Sequence, residues 1–545
     1  MRRFAAPAAL AAALALMPGA AAAKQTAKSL SSCAAFPSHE EIGALLQSYA
    51  DGYPQIARFS SLGESVEGRE IWALRVTTNP DAEEPEPELR VIGTIHGDEC
   101  MSAAVVLETI AWLLESYGDD PLASDLVDGA ETLLVPLVNP DGYSGAAASR
   151  TNANGVDLNR NLGFAWLDEG DGPFSEPETR ALRDASQAHS FVLGLSYHTV
   201  AAYVNGPWNY TPHRPLDEEL VAAIGQSYAG DSSYDVVFGW DWYSINGDVN
   251  DWSLGTEGTF DWTIELRSDT EIEWDVHGPG VAAFLAWAFE GVEGVVTDAE
   301  TGDPLLARIT VDPAGEPVFT DPDAGDYHRI LLPGTYDVTA WASGYEPATV
   351  AGVAVIEGSV AAVDIELEPA GDDPAGGGHA AVQINRLTVP QGLPTWAYQW
   401  IEYQNQTRPH DALGPADGAF FSVSPGGSVT LDLGAATPVV DGAGADLRVV
   451  SGTGSDDPAR VSVADHQDGP FVELASGAGD LEADLAAAGL EGARFVRVED
   501  TGGGPFNAPY AGYDLDAVHN LSPPAGGPDA DADTDADADT DADAD

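Results

Sequence analysis

The apolar run RVIGTI (90–95) is followed at once by His96, Asp98 and Glu99. An imidazole and a carboxylate three residues apart could hold a metal ion, and the pair suits zinc. An ordinary loop that happens to carry both residues fits those few letters equally well. A hydrolytic zinc needs three protein ligands and one position left open for water, so a third ligand must arrive from another strand end. FVLGLSYHT (191–199) delivers His198 in the way that RVIGTI delivers His96. His39, His189, His213 and His277 have no strand-like run before them. A zinc ion on His96, Glu99 and His198 would bring the pKa of a bound water near neutrality and polarise a carbonyl, which is the chemistry of hydrolysis.

Further strings accompany these residues in a fixed order: SLGESVEGREIWALRV (61–76), VNPDGY (138–143), GVDLNRN (155–161), PFSEPET (173–179), WYSINGDVNDW (242–252) and FDWTIELR (260–267). Any one is weak, but the series resembles the zinc carboxypeptidases of the carboxypeptidase A/B superfamily over roughly residues 38–370. The resemblance implies one Zn²⁺ on His96, Glu99 and His198, with Glu265 as general base taking the proton of the water. It implies Arg150 as the cation facing the oxyanion, although the loop before it, GYSGAAASR, is shortened. Arg160, with Asn159 beside it, would grip the terminal carboxylate of a peptide. Tyr243 matches a mobile Tyr that closes over that carboxylate, and Asn250 stands at the specificity position. Read in isolation, each of these side chains is a surface charge, a turn former or core filling. Their joint order and spacing favour the functional reading.

The segments GVVTDAETGDPL (294–305) and GDYHRILLPGTYDVTAWASGYEP (325–347) resemble the transthyretin-like domain behind the catalytic domain of carboxypeptidases N, E, D and M. Those relatives remove C-terminal Lys or Arg, and an acidic enzyme would steer such substrates. VNGPWNY (204–210) departs from that pattern, because Asn209 and Tyr210 stand where acidic residues are expected. A buried Lys or Arg head without a carboxylate is costly, so basic specificity is an open expectation. TVAAYVN (199–205) also lacks the subfamily's Gly-Gly-Ser run.

Strand-like runs (EIWALRV, ELRVIGTI, ETLLVPLV, FVLGLSYH, FDWTIELR) alternate with helical patterns at 101–117, 178–189 and 216–228. This predicts an α/β catalytic domain over 36–290, a mixed central sheet flanked by helices with catalytic groups at strand ends. Residues 291–369 read as a small transthyretin-like β-sandwich, 370–380 as a linker and 381–521 as a second β-sandwich of jelly-roll type and unknown role. The Asp/Ala-rich tail 522–545 can bury nothing and reads as disordered.

The chain carries 89 acidic against 22 basic residues, a formal charge of −67, which excludes a nucleic-acid partner. MRRFAAPAALAAALALMPGAAAAKQ has the form of a secretory signal peptide cleaved near Ala23, and no other stretch suggests a transmembrane anchor. A secreted or cell-surface metalloprotease acting on peptide or protein C-termini is therefore the expectation. Residues 381–521 are a candidate for carbohydrate or cell-surface contact. Two other readings are a zinc amidase acting on cell-wall peptides or related carboxylates, and a binding protein without catalysis. Cys33 and Cys100 could form one disulfide or stay free.

Overall fold

The computed structural model describes residues 36–521 apart from 145–147, 270, 314, 322, 371–379, 389–407, 415, 417–418, 436–437, 443, 453–456 and 503–511. The leader 1–23, Cys33, most of the 370–380 linker and the tail 522–545 lie outside the described residues. Cys100 is disulfide-bonded.

An eight-stranded mixed sheet carries the first half of the chain. Its strands are β1 (Ala57–Glu64), β2 (Glu70–Val76), β3 (Glu88–Gly93), β4 (Glu131–Val135), β5 (Phe191–Thr199), β6 (Tyr203–Gly206), β7 (Asp235–Phe238) and β8 (Phe260–Leu266). They lie in the order β1-β2-β4-β3-β5-β8-β6-β7. The central strands β4, β3, β5 and β8 run parallel. They are buried along nearly their whole length, which is why they read as continuous apolar runs instead of alternating ones.

Helices cover the sheet. α1 (His39–Gly52) starts on a capping box in which the Ser38 hydroxyl accepts from Glu41 N and the Glu41 carboxylate accepts from Ser38 N. α2 (Cys100–Glu115) is buried over nearly all of its length and follows directly on Glu99. α3 (Pro121–Gly129), α4 (Pro177–Ala188), α5 (Glu218–Ala229) and α6 (Trp274–Leu285) complete the layer. Among the described residues, no helix is long and apolar enough to cross a membrane.

A buried ion pair ties β3 to β8 across β5. Arg90, 1% exposed, donates to Asp261 Oδ2 at 2.6 Å, to Ser186 Oγ at 2.6 Å and to Ser253 Oγ at 2.6 Å. Gly194 on β5 lets the pair form, since a Cβ there would lie 2.0 Å from Asp261 Oδ2. The interaction fixes the three strands whose C-terminal ends carry the site.

Beyond residue 290 the chain is β-rich. Strands between Gly291 and Leu367 form two sheets. They join the first unit through Arg329, 1% exposed, whose Nη2 donates to both carboxylate oxygens of Asp217 at 2.7 Å. From Gln383 to Asn520 the strands build a five-stranded, a four-stranded and a two-stranded sheet. The five-stranded sheet begins with the edge strand Gln383–Thr388.

Candidate active site

Three strand ends and the start of α2 converge on one cleft with about 650 Å³ of open space. His96 lies three residues beyond β3, Glu99 immediately precedes α2, His198 is the penultimate residue of β5, and Glu265 is the penultimate residue of β8. A left-handed Thr94 (φ 54°) turns the chain out of β3 toward the cleft. Its backbone N–H donates to Ser102 Oγ at 3.0 Å, a second anchor that holds His96 against the start of α2.

The ring nitrogens His96 Nδ1 and His198 Nδ1 face each other at 3.1 Å. Glu99 lies 2.9 Å from the first through Oε1 and 3.1 Å from the second through Oε2. All three donor groups lie within 4.8 Å of one another and are buried. The other ring nitrogens face outward, with His96 Nε2 3.1 Å from Asp157 Oδ1 and His198 Nε2 3.2 Å from Ser196 Oγ. In the tautomers that carry the proton on Nε2, both Nδ1 lone pairs point to the position a cation would take. Two imidazoles and a carboxylate beside an open cleft are the donor set of a hydrolytic zinc site, so the residues fit the metal. Burial would raise the Glu99 carboxyl, but the two imidazoles outweigh it and hold Glu99 well below the ordinary range.

The orienting partner of His96 is Asp157, not the neighbouring Asp98 that its position in the loop suggests. Asp98 is exposed, whereas Asp157 also accepts from Arg150 Nε at 2.9 Å and from the backbone of Asn159 at 3.1 Å. Arg150 reaches back to within 3.2 Å of His96 Nδ1. Burial raises the Glu265 carboxyl above the ordinary range.

Asn159, Arg160, Tyr243 and Arg150 all line the cleft with the three metal-ligand candidates and Glu265. Asn159 Oδ1 accepts from Val249 N at 3.0 Å, which leaves its NH₂ as the group that can donate to a ligand. Arg160 donates to the Asn159 carbonyl at 2.7 Å. Tyr243, 45% exposed, stands at the mouth. Asn250 is the exception. It is fully buried and lies one layer behind the cleft, donating to Asn205 O at 3.1 Å and accepting from Thr263 Oγ1 at 3.0 Å.

Asn205, Asn209, Thr263 and Ile245 line the cleft in its place. Asn205 and Thr263 are register partners on β6 and β8, and the signal for them was a polar residue inside each apolar run. Behind Asn209 two carboxyls are buried. Asp248 Oδ2 accepts from Asn209 Nδ2 at 2.7 Å, and Asp251 accepts from the backbone of Asn209 at 2.9 Å and of Tyr210 at 2.8 Å. Burial raises both carboxyls, and the neighbouring Asp248 pushes Asp251 up further. Asp248 Oδ1 and Asn205 Oδ1 are buried acceptors without a hydrogen-bond partner among the described residues.

The chain belongs to the zinc carboxypeptidase family. That family matches residues 42–279, and the carboxypeptidase regulatory-like domain matches residues 291–368. The rat carboxypeptidase N catalytic chain is 31% identical over 376 residues, which cover 58% of this chain and 82% of that protein. Mouse carboxypeptidase D is 33% identical over 347 residues, covering 56% of this chain but only 25% of its own length. The chain thus spans about a quarter of the carboxypeptidase D proteins it matches. Among solved structures, a carboxypeptidase A from Helicoverpa armigera aligns at 24% identity with a TM-score of 0.40, covering 52% of this chain and 78% of that one.

Proposed function

We propose that this chain is a zinc-dependent exopeptidase that releases the C-terminal residue of peptides. The observation that carries the reading is the convergence of His96 Nδ1, Glu99 and His198 Nδ1 in one cleft that Glu265, Arg150 and Arg160 also line. One zinc ion held by the three ligands would supply an acidified water and polarise the scissile carbonyl. Glu265, with its carboxyl pushed up by burial, is suited to take a proton from that water and hand it to the departing amine. Arg150, held by Asp157, presents its guanidinium beside the ligands, where negative charge would develop on the carbonyl oxygen. Arg160 and the Asn159 amide would bind the terminal carboxylate, and an internal peptide bond offers none. Tyr243 would close over the bound end.

A preference for basic terminal residues is supported by the buried Asp248–Asp251 pair behind Asn209, which places negative charge near the amide-lined wall. Asn250 would act there only by supporting Asn205 and Thr263. We read 36–290 as the catalytic domain, 291–369 as a transthyretin-like domain and 381–521 as a separate β-domain, in a chain exported by its leader. The test is a release assay over peptides ending in every residue type, with zinc content measured alongside. About one zinc per chain and release abolished by a chelator are the expected results. Bound zinc without release from any peptide would overturn the exopeptidase reading.

A further inference from the structure

The carboxylate-binding segment is held on its outer side by a part of the chain more than two hundred residues away. Asn159 and Arg160 lead directly into residues 161–166, and this stretch lies between two walls. On one side Leu162 N donates to Gly247 O at 3.0 Å and Val249 N donates to Asn159 Oδ1 at 3.0 Å. This ties the segment to the loop that carries Tyr243 and Ile245. On the other side Leu387 N donates to Gly163 O at 2.7 Å, and Trp166 N donates to Leu387 O at 3.1 Å. Leu387 belongs to the edge strand Gln383–Thr388, so a strand end that would otherwise be open is completed by the catalytic segment itself.

Side chains lock this seam. Arg183 on α4 donates to Asp468 through Nη1 at 2.7 Å and Nη2 at 3.1 Å, and Arg386 of the edge strand donates to the same carboxylate. The two guanidinium groups lie 5.2 and 5.5 Å from the centre of the Phe174 ring. Phe174 in turn fills the space where Gly163 has no side chain, since a Cβ there would meet the ring at 2.2 Å. Phe174 N donates to Asn161 O at 2.7 Å. Ala165 (φ 50°) and Phe174 (φ 56°) both hold left-handed backbone, a conformation that persists only where the surroundings enforce it. Gln383 Nε2 adds a bond to Thr256 O at 2.9 Å, just beyond the short helix Val249–Trp252 that carries Asn250.

We propose that the C-terminal β-region is a positioning element for terminal-carboxylate recognition. Leu387 and the Arg386–Asp468–Arg183 cluster hold residues 161–166 in place and thereby fix Asn159 and Arg160. The proposal rests on the carboxylate-binding role given to Arg160 above. Arg183 and Arg386 are nearly fully buried, so removing Asp468 takes the counter-charge from Arg386 and leaves Arg183 only the exposed Asp184, at 2.8 Å, which drives the seam apart. Leu387→Pro removes the donor to Gly163 O on the outer edge of a strand, where proline is tolerated, together with part of the packing of a buried leucine.

The measurement uses the full zinc-loaded chain made inactive by Glu265→Gln, with an N-acetylated tetrapeptide ending in Arg and the same peptide as its C-terminal amide. Calorimetry gives the ratio of the two dissociation constants. In the parent the acid form should bind far better than the amide. Asp468→Ala and Leu387→Pro should each cut that discrimination about ten-fold or more, Asp468→Glu should restore most of it, and Asp480→Ala, at an exposed pair elsewhere in the region, should leave it unchanged. The loss should also fail to add to that of Arg160→Lys, whereas independent structural damage would add. Discrimination that survives in both seam variants, with hydrogen exchange at 162–166 showing that the seam has opened, overturns the proposal alone. A parent that does not discriminate acid from amide overturns the exopeptidase reading as well.

Discussion

His198 and Glu265 are register partners on adjacent parallel strands, β5 and β8. A metal-ligand candidate and the candidate base are thus held at a spacing set by the sheet ladder and not by a loop. The rigid backbone keeps a buried carboxylate beside an imidazole at a fixed spacing.

Glu265→Gln keeps the size and most of the packing of the side chain while removing its basicity. Turnover should fall by roughly 10³- to 10⁴-fold, with zinc content per chain unchanged by elemental analysis. Loss of zinc in this variant would mean that Glu265 belongs to the ligand set.

Asp157 joins three functions: it faces His96 Nε2, anchors Arg150 and accepts from Asn159 N. Asp157→Ala frees the imidazole to rotate and to change tautomer. Zinc affinity, measured by competition with a chelator, should drop about 10- to 100-fold. Asp98→Ala, at an exposed position, should leave the affinity as it was.

His96 and His198 were legible because each stands where an apolar strand run gives way to polar residues, and Glu99 because it stands three residues after His96. Asp157 was not singled out, because its partner His96 is sixty-one residues away and only the fold brings them together. Asn250 was placed one layer too near the substrate, since letters alone do not say which of two neighbouring amides faces a cavity. α6 escaped notice because its sequence WDVHGPGVAAFL contains Gly-Pro-Gly, which reads as a breaker. Packing overrides that propensity: Gly280 is needed where a Cβ would lie 2.8 Å from Tyr228 O, and Val281, Phe284 and Leu285 are fully buried. Predicted helices at 101–117, 178–189 and 216–228 correspond to α2, α4 and α5 within two residues at each end, because their apolar periodicity agrees with the burial they achieve. The seam between Leu387 and Gly163 left no sequence signal, being made of backbone hydrogen bonds.

Stability should depend on pH through Glu131, which is 2% exposed at the start of β4. Burial, then the charge of Glu88, pushes its carboxyl from 4.5 up to about 7. A carboxyl raised in the folded state stabilises the fold fully below the unfolded value and loses that contribution as the pH climbs through the folded one. Between pH 5 and 8 the melting temperature of the parent should therefore fall more steeply than that of Glu131→Gln. The difference corresponds to roughly 3 kcal/mol at most. Parallel melting curves across that range would sink this assignment.

Asn209 is the position at which an acidic residue would be the obvious route to a basic specificity, and the structure gives a reason for the amide. Its NH₂ donates to Asp248 at 2.7 Å and lies 3.3 Å from Asp251, while its backbone N–H also serves Asp251. Asn209→Asp would remove the donor and set a third carboxyl against two that are already buried. The cost should be about 2–4 kcal/mol, read as a lowered melting temperature, with no gain in release of C-terminal Lys or Arg. Asp248→Asn should do the reverse for specificity. It keeps the shape but takes away the charge behind the wall, so release of Arg relative to Leu should fall about ten-fold, by loss of one partly screened charge interaction. A stable Asn209→Asp enzyme that releases Arg faster than the parent would show that this wall accepts a third carboxyl, and that Asp248 does not already supply the counter-charge.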